Sequence, residues 1–417
     1  MDAAATARFG REDRTILGLI STGHFMSHFY FLTLPPLFPY LTEAFGVGYT
    51  ELGLMMTLTY AASALAQVPV GFLVDRIGAR IVLTIGLVLL ALGFGLVGLA
   101  PTFAVVLGLT VIAGFGHSVF HPADYAILNA SISPERIGRA FSVHTFAGHL
   151  GSAVAPAAMI ALAAAFGWRT ALVVAGAFGL IVMFALATQW NSLRDDALPH
   201  PKKRDAAVAR DAVANGRAPS GISLLFSKAM ILFFLFFATL SMTSTGMQAF
   251  SVSALVTLHD MPVTTASAAL TAYLFCSAAG ILVGGEIADR TKRHDIIAGA
   301  VFVVTAVFSL LLVWFDLPFV PLVLLMVIMG LGQGIIRPAR DMMLRAAAPK
   351  GSAGKVFGFV SMGISVGSAV APIPFGWLLD TGRSEWVFYL IAIFMTVALV
   401  TVVVPKEIHP RARGNAA

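Results

Sequence analysis

The stretch GRAFSVHTFAGHLGSAVAP, residues 138–156, returns as GKVFGFVSMGISVGSAVAP at residues 354–372, an offset of 216 that preserves the hexamer GSAVAP. The same offset lays GFGHSVFHPADYAILNASISPERIGR (114–139) on GLGQGIIRPARDMMLRAAAPKGSAGK (330–355). His117 then meets Gln333, His121 meets Arg337, Pro122 meets Pro338 and Asp124 meets Arg340. A third pair, GFLVDR at 71–76 and GEIADR at 285–290, follows at nearly the same spacing. Duplication is the simple explanation, and it divides the chain into two equivalent halves.

What each half contains follows from composition. Of the 417 residues, 58% are hydrophobic and 12% charged, with mean hydropathy +0.87. Soluble domains carry about 25% charged residues, so water is not the main solvent of this chain. Apolar runs of about 20 residues or more, enough for a helix to cross the hydrocarbon core, recur from near residue 15 to near residue 405 and give twelve spans. Six spans per half is an even number, so the halves share an orientation and are related by an axis along the membrane normal. The expected fold is an all-α membrane protein of twelve transmembrane helices in two six-helix bundles. Residues 1–190 form the first bundle, 191–221 a polar linker and 222–417 the second.

The charges orient this arrangement. With the N-terminus in the cytoplasm, 23 of the 27 Lys and Arg residues fall on that side and only Arg169 and Arg383 opposite, while Arg337 and Arg340 lie inside a span. That bias places both termini in the cytoplasm. It also accounts for the net charge of +6 without a nucleic-acid partner. The polar arm from Met1 to Arg14 enters a span too long for a signal-peptide core, so it is expected to be retained. The single cysteine, Cys276, excludes a disulfide framework and a thiolate metal cluster and is expected to pack. No phosphate-cradling Gly-Lys-Ser/Thr loop, metalloprotease helix or cysteine nucleophile is present, so neither an enzyme nor ATP-driven transport is expected, and no cofactor is implied.

The loop after span two, Gly71-Phe-Leu-Val-Asp75-Arg76-Ile-Gly78-Ala-Arg80, resembles the loop motif of the major facilitator superfamily, matching it at Gly71, Leu73, Asp75, Arg76, Gly78 and Arg80. Ala79 replaces a basic residue, and the second copy keeps Gly285, Asp289 and Arg290 but has Lys292 where a glycine belongs. The resemblance, which covers almost the whole chain, implies a cytoplasmic latch at Gly71, Asp75, Arg76, Gly78, Arg80, Asp289 and Arg290 that stabilises an outward-facing state. Gly148, Gly151 and Pro156 in span five resemble the family's antiporter motif. With Gly363, Gly367 and Pro372 in span eleven they are expected to bend their helices. Ser118-Val119-Phe120-His121-Pro122 is similar to the fosmidomycin-resistance branch, whose members export a small anionic phosphonate drug.

Polar groups inside the membrane locate the expected site. An ionisable side chain at mid-bilayer costs at least about 2.5–3.5 kcal/mol, so it normally faces a cavity or a partner. His117, His121 and Asp124 in span four are spaced i, i+4, i+7, as are Gln333, Arg337 and Arg340 in span ten, and such spacing shares one helical face. In the family architecture, with spans one, four, seven and ten around the cavity, the two faces confront each other. The arginines offer forked donors to an anion, and the histidines can carry a proton. The structural alternative pairs Arg340 with Asp124 and Arg337 with Asp341 as ion pairs or a gate. His24 and His28 in span one, Gln248, and the aromatics Tyr30 and Tyr60 complete the expected substrate site, while Asp124, His121 and Asp341 are expected to couple protons or gate. His144 and His149 are expected to hydrogen-bond between helices. A metal site at the histidines is a rival reading, disfavoured because the arginines would repel a cation.

The expectation is a secondary transporter of a small organic anion or anionic drug, proton-coupled, antiporting and working by alternating access. It would be a monomer in a bacterial-type inner membrane, with the bilayer, protons and a small-molecule substrate as its partners. A hydrophobic multidrug exporter and a metal or cation transporter are the alternatives.

Overall fold

The computed structural model describes residues 9–133, 136–193, 226–291, 293–347 and 353–403. Most of the expected linker and the side chain of Asp289 lie outside the described residues. The helices are α1 (Arg11–Phe31), α2 (Phe38–Phe45), α3 (Tyr49–Ile77), α4 (Ala79–Val97), α5 (Phe103–His117), α6 (Phe120–Ser131), α7 (Ile137–Phe166) and α8 (Trp168–Thr188) in the first half. The second half has α9 (Lys228–Thr245), α10 (Ser251–His259), α11 (Val263–Arg290), α12 (His294–Trp314), α13 (Phe319–Ala347), α14 (Ala353–Val370), α15 (Pro372–Asp380) and α16 (Glu385–Val403).

Four spans are interrupted, which is why the helices outnumber the spans. The first breaks at the turn Pro35–Leu37, where two successive prolines remove backbone donors. The fourth breaks between His117 and Phe120, where the ring of Pro122 opposes the carbonyl of Ser118. The seventh passes through a π turn, Gly246–Phe250. The eleventh restarts at Pro372. Among the described residues, eleven stretches are long and apolar enough to cross a membrane. The remaining span is α1 with α2, and α1 reads as less apolar because Thr15, Ser21, Thr22, His24, Ser27 and His28 lie within it.

Duplication has not kept these breaks symmetric. Pro338, the counterpart of Pro122, sits inside the continuous α13, and Pro156, the counterpart of Pro372, sits inside the continuous α7. Pro372 therefore interrupts its span, and Pro156 does not.

In the first half α1 packs on α7 and α4 on α5 and α8; in the second, α9 packs on α14, α11 on α13 and α12 on α16. Glycines allow the closest approaches. A Cβ on Gly148 would stand 2.6 Å from Cδ2 of His24, so only glycine lets α7 lie this close to the α1 histidines. Outward-facing residues such as Leu65, Phe72 and Phe184, each about 70% exposed or more, face lipid rather than water.

The two bundles meet most firmly at the end marked by the turns at 46–48 and 381–384, here termed the loop face; the opposite end, where α3 turns into α4, is the linker face. At the loop face one hydrophobic core runs through both halves, with Phe38 against Phe250 and Phe250 against Phe375, ring centroids 5.7 Å apart in each pair. Asp380 at the end of α15 accepts hydrogen bonds from the backbone N–H groups of Tyr49 and Thr50, at 2.6 and 2.7 Å, and from the Thr50 hydroxyl. The Thr57 hydroxyl donates to the Ala369 carbonyl at 2.7 Å. A second core cluster, including Phe233, Phe302, Val356 and Ala398, consists of second-half residues alone. The halves thus share a core at the loop face and separate towards the linker face.

Candidate functional site

The cavity between the halves is lined by His28 of α1, Tyr60 of α3 and His149 and Ser152 of α7 on one side. The other side supplies Phe237, Ser241, Ser244 and Thr245 of α9, Gln248 of the π turn, Ser277 of α11, Gln333, Arg337 and Arg340 of α13, and Ser368 of α14. Its accessible volume is about 230 Å³. Two guanidiniums and a wall of hydroxyls face this space, and no carboxylate lines it among the described residues.

Arg337 and Arg340 are one turn apart on α13 but differently held. Arg337 donates from Nη1 to Nε2 of His149 at 3.2 Å, the contact that joins the halves inside the cavity. Arg340 donates from Nε to Oδ1 of Asp341 at 3.0 Å and lies over the ring of Phe237 at 4.6 Å. Asp341 therefore pairs with Arg340, while the hydrogen-bond partner of Arg337 is a neutral-capable histidine. Gln248 reaches the cavity because the π turn places an extra residue in that stretch of helix, a feature frequent at functional sites.

The expected partner face on span four is not in the cavity. Asp124 is fully buried within the first half, its Oδ2 3.3 Å from Nδ1 of His24 and 3.5 Å from Nε2 of His144. His121 sits beside His24, ring centroids 5.4 Å apart, and the His117 Nδ1 lies 3.0 Å from the Ser63 hydroxyl. The i, i+4, i+7 spacing does place His117, His121 and Asp124 on one side of span four, but that side meets α1 of the same half, at Phe31 and His24, rather than the cavity. Neither Asp124–Arg340 nor Arg337–Asp341 forms; Asp124 meets histidines, Arg337 meets His149, and Asp341 meets Arg340.

Of the expected substrate residues, Arg337, Arg340, Gln333, His28, Tyr60 and Gln248 line the cavity. His24, His117, His121 and Tyr30 do not. Tyr30 is wholly buried, donates to the Ala175 carbonyl at 2.7 Å and stacks on Phe94. Two residues beyond His28 it points about 200° away around the helix, into its own bundle. His149 was expected as a helix-to-helix hydrogen bonder; its place in the cavity against Arg337 had no signal in the repeat, where it aligns with Ser365.

A continuous set of imidazoles leads from the cavity into the first half. His149 and His28 are 5.7 Å apart by ring centroids, His28 and His24 4.7 Å, and His24 and His144 3.9 Å. The ligand atoms of His24, Asp124 and His144 lie within 4.8 Å of one another, a donor set that can hold either a proton or a metal ion.

At the expected latch, Gly78 adopts φ 92° between α3 and α4, a turn that glycine makes readily. Arg80 donates to the Trp190 carbonyl at 3.0 Å and lies over its ring. A side chain at Gly71 would enter open space, Asp75 and Arg76 are exposed, and Arg290 pairs with Glu286 of its own helix.

A family model described as Major Facilitator Superfamily matches residues 20–259 and again 234–417. The Fosmidomycin resistance protein of Escherichia coli (strain K12) is 27% identical over 412 residues, 98% of this chain and 97% of that one. Multidrug resistance protein MdtG of Enterobacter lignolyticus (strain SCF1) is 25% identical over 364 residues, 84% of this chain and 82% of its own. Among solved structures, a bacterial homolog of the human lysosomal transporter Spinster, in an inward-facing and occupied conformation, superposes with a TM-score of 0.72 at 15% identity, covering 95% of each chain.

Proposed function

This chain belongs to the major facilitator superfamily, and we propose that it is a secondary transporter of small organic anions, bound by Arg337 and Arg340 in the cavity between its halves. The observation that carries this reading is the charge of the cavity. Two guanidiniums face it, one offset by Asp341, and no described carboxylate lines it. An uncompensated guanidinium in a membrane interior is costly unless an anion completes it. The hydroxyls of Ser241, Ser244, Thr245 and Ser368 add neutral donors around the same space. The full-length relative named for resistance to fosmidomycin supports an anionic cargo.

Transport is proton-coupled, with Asp124 as the carrier. It is a buried carboxylate between two imidazoles, connected to the cavity through His24 and His28. The distribution of Lys and Arg supports an inner-membrane orientation with both termini and the linker face in the cytoplasm. Closure at the loop face then corresponds to an inward-facing state, in which the latch residues Asp75 and Arg76 are disengaged. The protein acts as a monomer by rocking one bundle against the other.

Two other readings have an observation behind them. Phe237, Leu240, Leu274 and Ile336 give the cavity an apolar wall that suits the multidrug reading, as does the name of the Enterobacter relative. The His24–Asp124–His144 donors suit a cation, but they are enclosed in the first half, and a cation entering from the cavity would pass both arginines.

Thermal stabilisation of the purified protein by sulfoacetate, malonate, methylphosphonate, lipophilic cations and divalent metals separates the three. Stabilisation by anions, reduced at least about tenfold in apparent affinity by Arg337→Ala, is expected, since losing a charged hydrogen bond costs about 1.5–3 kcal/mol. Stabilisation by lipophilic cations alone would move the assignment to multidrug export. Stabilisation by metals alone would move it to the histidine cluster.

A further inference from the structure

We infer that the Arg337–His149 contact is a proton site opened by substrate: an anion that engages Arg337 releases Nε2 of His149 to take up a proton, so anion and proton are bound together. The inference rests on the anion reading of the cavity and gives its coupling a sign.

The argument starts from donor chemistry. A guanidinium has only donors, so the nitrogen it meets must present a lone pair. Arg337 Nη1 stands 3.2 Å from His149 Nε2, and in this pairing His149 is neutral with its Nε2 occupied as an acceptor. The surroundings hold it so. From α13, Arg337 and Arg340 both face it; from α1 come His28, ring centroids 5.7 Å away, and His24 behind it. Tyr60 of α3 shares the cavity wall, and Asp341, the nearby carboxylate, accepts from Arg340. A second positive charge at His149 would face two arginines with no adjacent anion.

An anion in the cavity reverses both conditions. It accepts hydrogen bonds from the Arg337 fork in competition with His149, which frees Nε2. It also places negative charge between the imidazole and the guanidinium, where an imidazolium is attracted rather than repelled. The proton comes from water in the cavity, forms an N–H bond at Nε2 and points it at the anion. Because binding is reciprocal, a protonated His149 strengthens anion binding by the same factor. His149 belongs to the first half and Arg337 to the second, so the anion replaces a direct contact between halves with an imidazolium–anion–guanidinium bridge that can draw them together. The resemblance of span five to the antiporter motif predicts the opposite sign, in which anion and proton exclude each other.

Titration calorimetry of the full-length protein in detergent, slightly above neutral pH, tests this with sulfoacetate and malonate, anions that are themselves fully ionised there. Repeating each titration in Tris, triethanolamine and Bis-Tris, which carry no anionic group and differ in ionisation enthalpy, reads the protons exchanged. Uptake of about one proton per anion is expected. In His149→Gln the amide oxygen still accepts from Arg337 but cannot titrate, so proton uptake should be lost and anion binding should weaken by the factor that protonation supplied while remaining measurable. No exchange, or release, in the unaltered protein would overturn this inference and leave the anion site standing. Undiminished uptake in His149→Gln would remove the assignment to His149. Failure of both anions to bind would remove the anion reading and this inference together.

Discussion

Asp124 has no exposed atom, and its Oδ2 lies 3.3 and 3.5 Å from two imidazole nitrogens. A carboxylate so placed must be matched in charge by its neighbours, and the neighbours present are groups that gain and lose protons. Asp124→Asn keeps the shape and removes the exchange of a proton. In proteoliposomes the variant is expected to exchange anion for anion across the membrane while accumulation driven by a pH gradient falls at least about tenfold. Equal loss of both activities would make Asp124 a structural residue. The arginines were legible in the sequence because charge inside an apolar span has few explanations other than a cavity. The placement of His117 and His121 was not, because spacing shows that residues share a helical face but not which neighbour that face meets, here α1 of the same half. His149 stood outside the repeat's symmetry, and a side chain that meets a partner from the other half leaves no local pattern.

Asp380 acts at the scale of elements. It ends α15, and its carboxylate takes the first two N–H groups of α3, where the helix dipole favours negative charge. A cap of this kind contributes about 0.5–2 kcal/mol. Here it joins two halves that must part at the loop face if access alternates, so its energy belongs to one state alone. Asp380→Ala is expected to shift the population towards loop-face opening by up to about tenfold, since 1.4 kcal/mol corresponds to one decade. The shift can be read as faster labelling of a cysteine at Gln248→Cys by an impermeant maleimide applied from the loop face, with Cys276→Ser in the background. An unchanged labelling rate would mean that the contact persists or contributes nothing. The elements themselves were readable from apolar runs of membrane-spanning length. Their interruptions were not all readable: Pro156 and Pro372 occupy equivalent positions, and only Pro372 starts a new helix, so the surrounding contacts rather than the proline decide the break.

For the whole molecule, the repeat and the even number of spans per half were enough to read two bundles related by an axis along the membrane normal, since both features survive sequence divergence that erases individual side chains. How the halves close on each other was not readable, because it depends on contacts between residues more than 300 positions apart, such as Thr50 with Asp380 and Thr57 with Ala369. Those contacts lie at one end, together with the single core that crosses between halves, while a second core belongs to the second half alone. A molecule whose shared core lies at one end can open at the other without disturbing either bundle, provided that the packing of α7 on α11 and the Arg337–His149 contact yield. Covalent closure of the joined end should therefore stop transport and spare binding. With Cys276→Ser as background, oxidation of the pair Thr50→Cys and Asp380→Cys is expected to abolish anion flux in proteoliposomes, to retain thermal stabilisation by the anion, and to restore flux on reduction. Flux that survives complete cross-linking, checked by the loss of free thiols, would show that the loop face need not open, and the rocking of one bundle against the other would have to be abandoned as the mechanism.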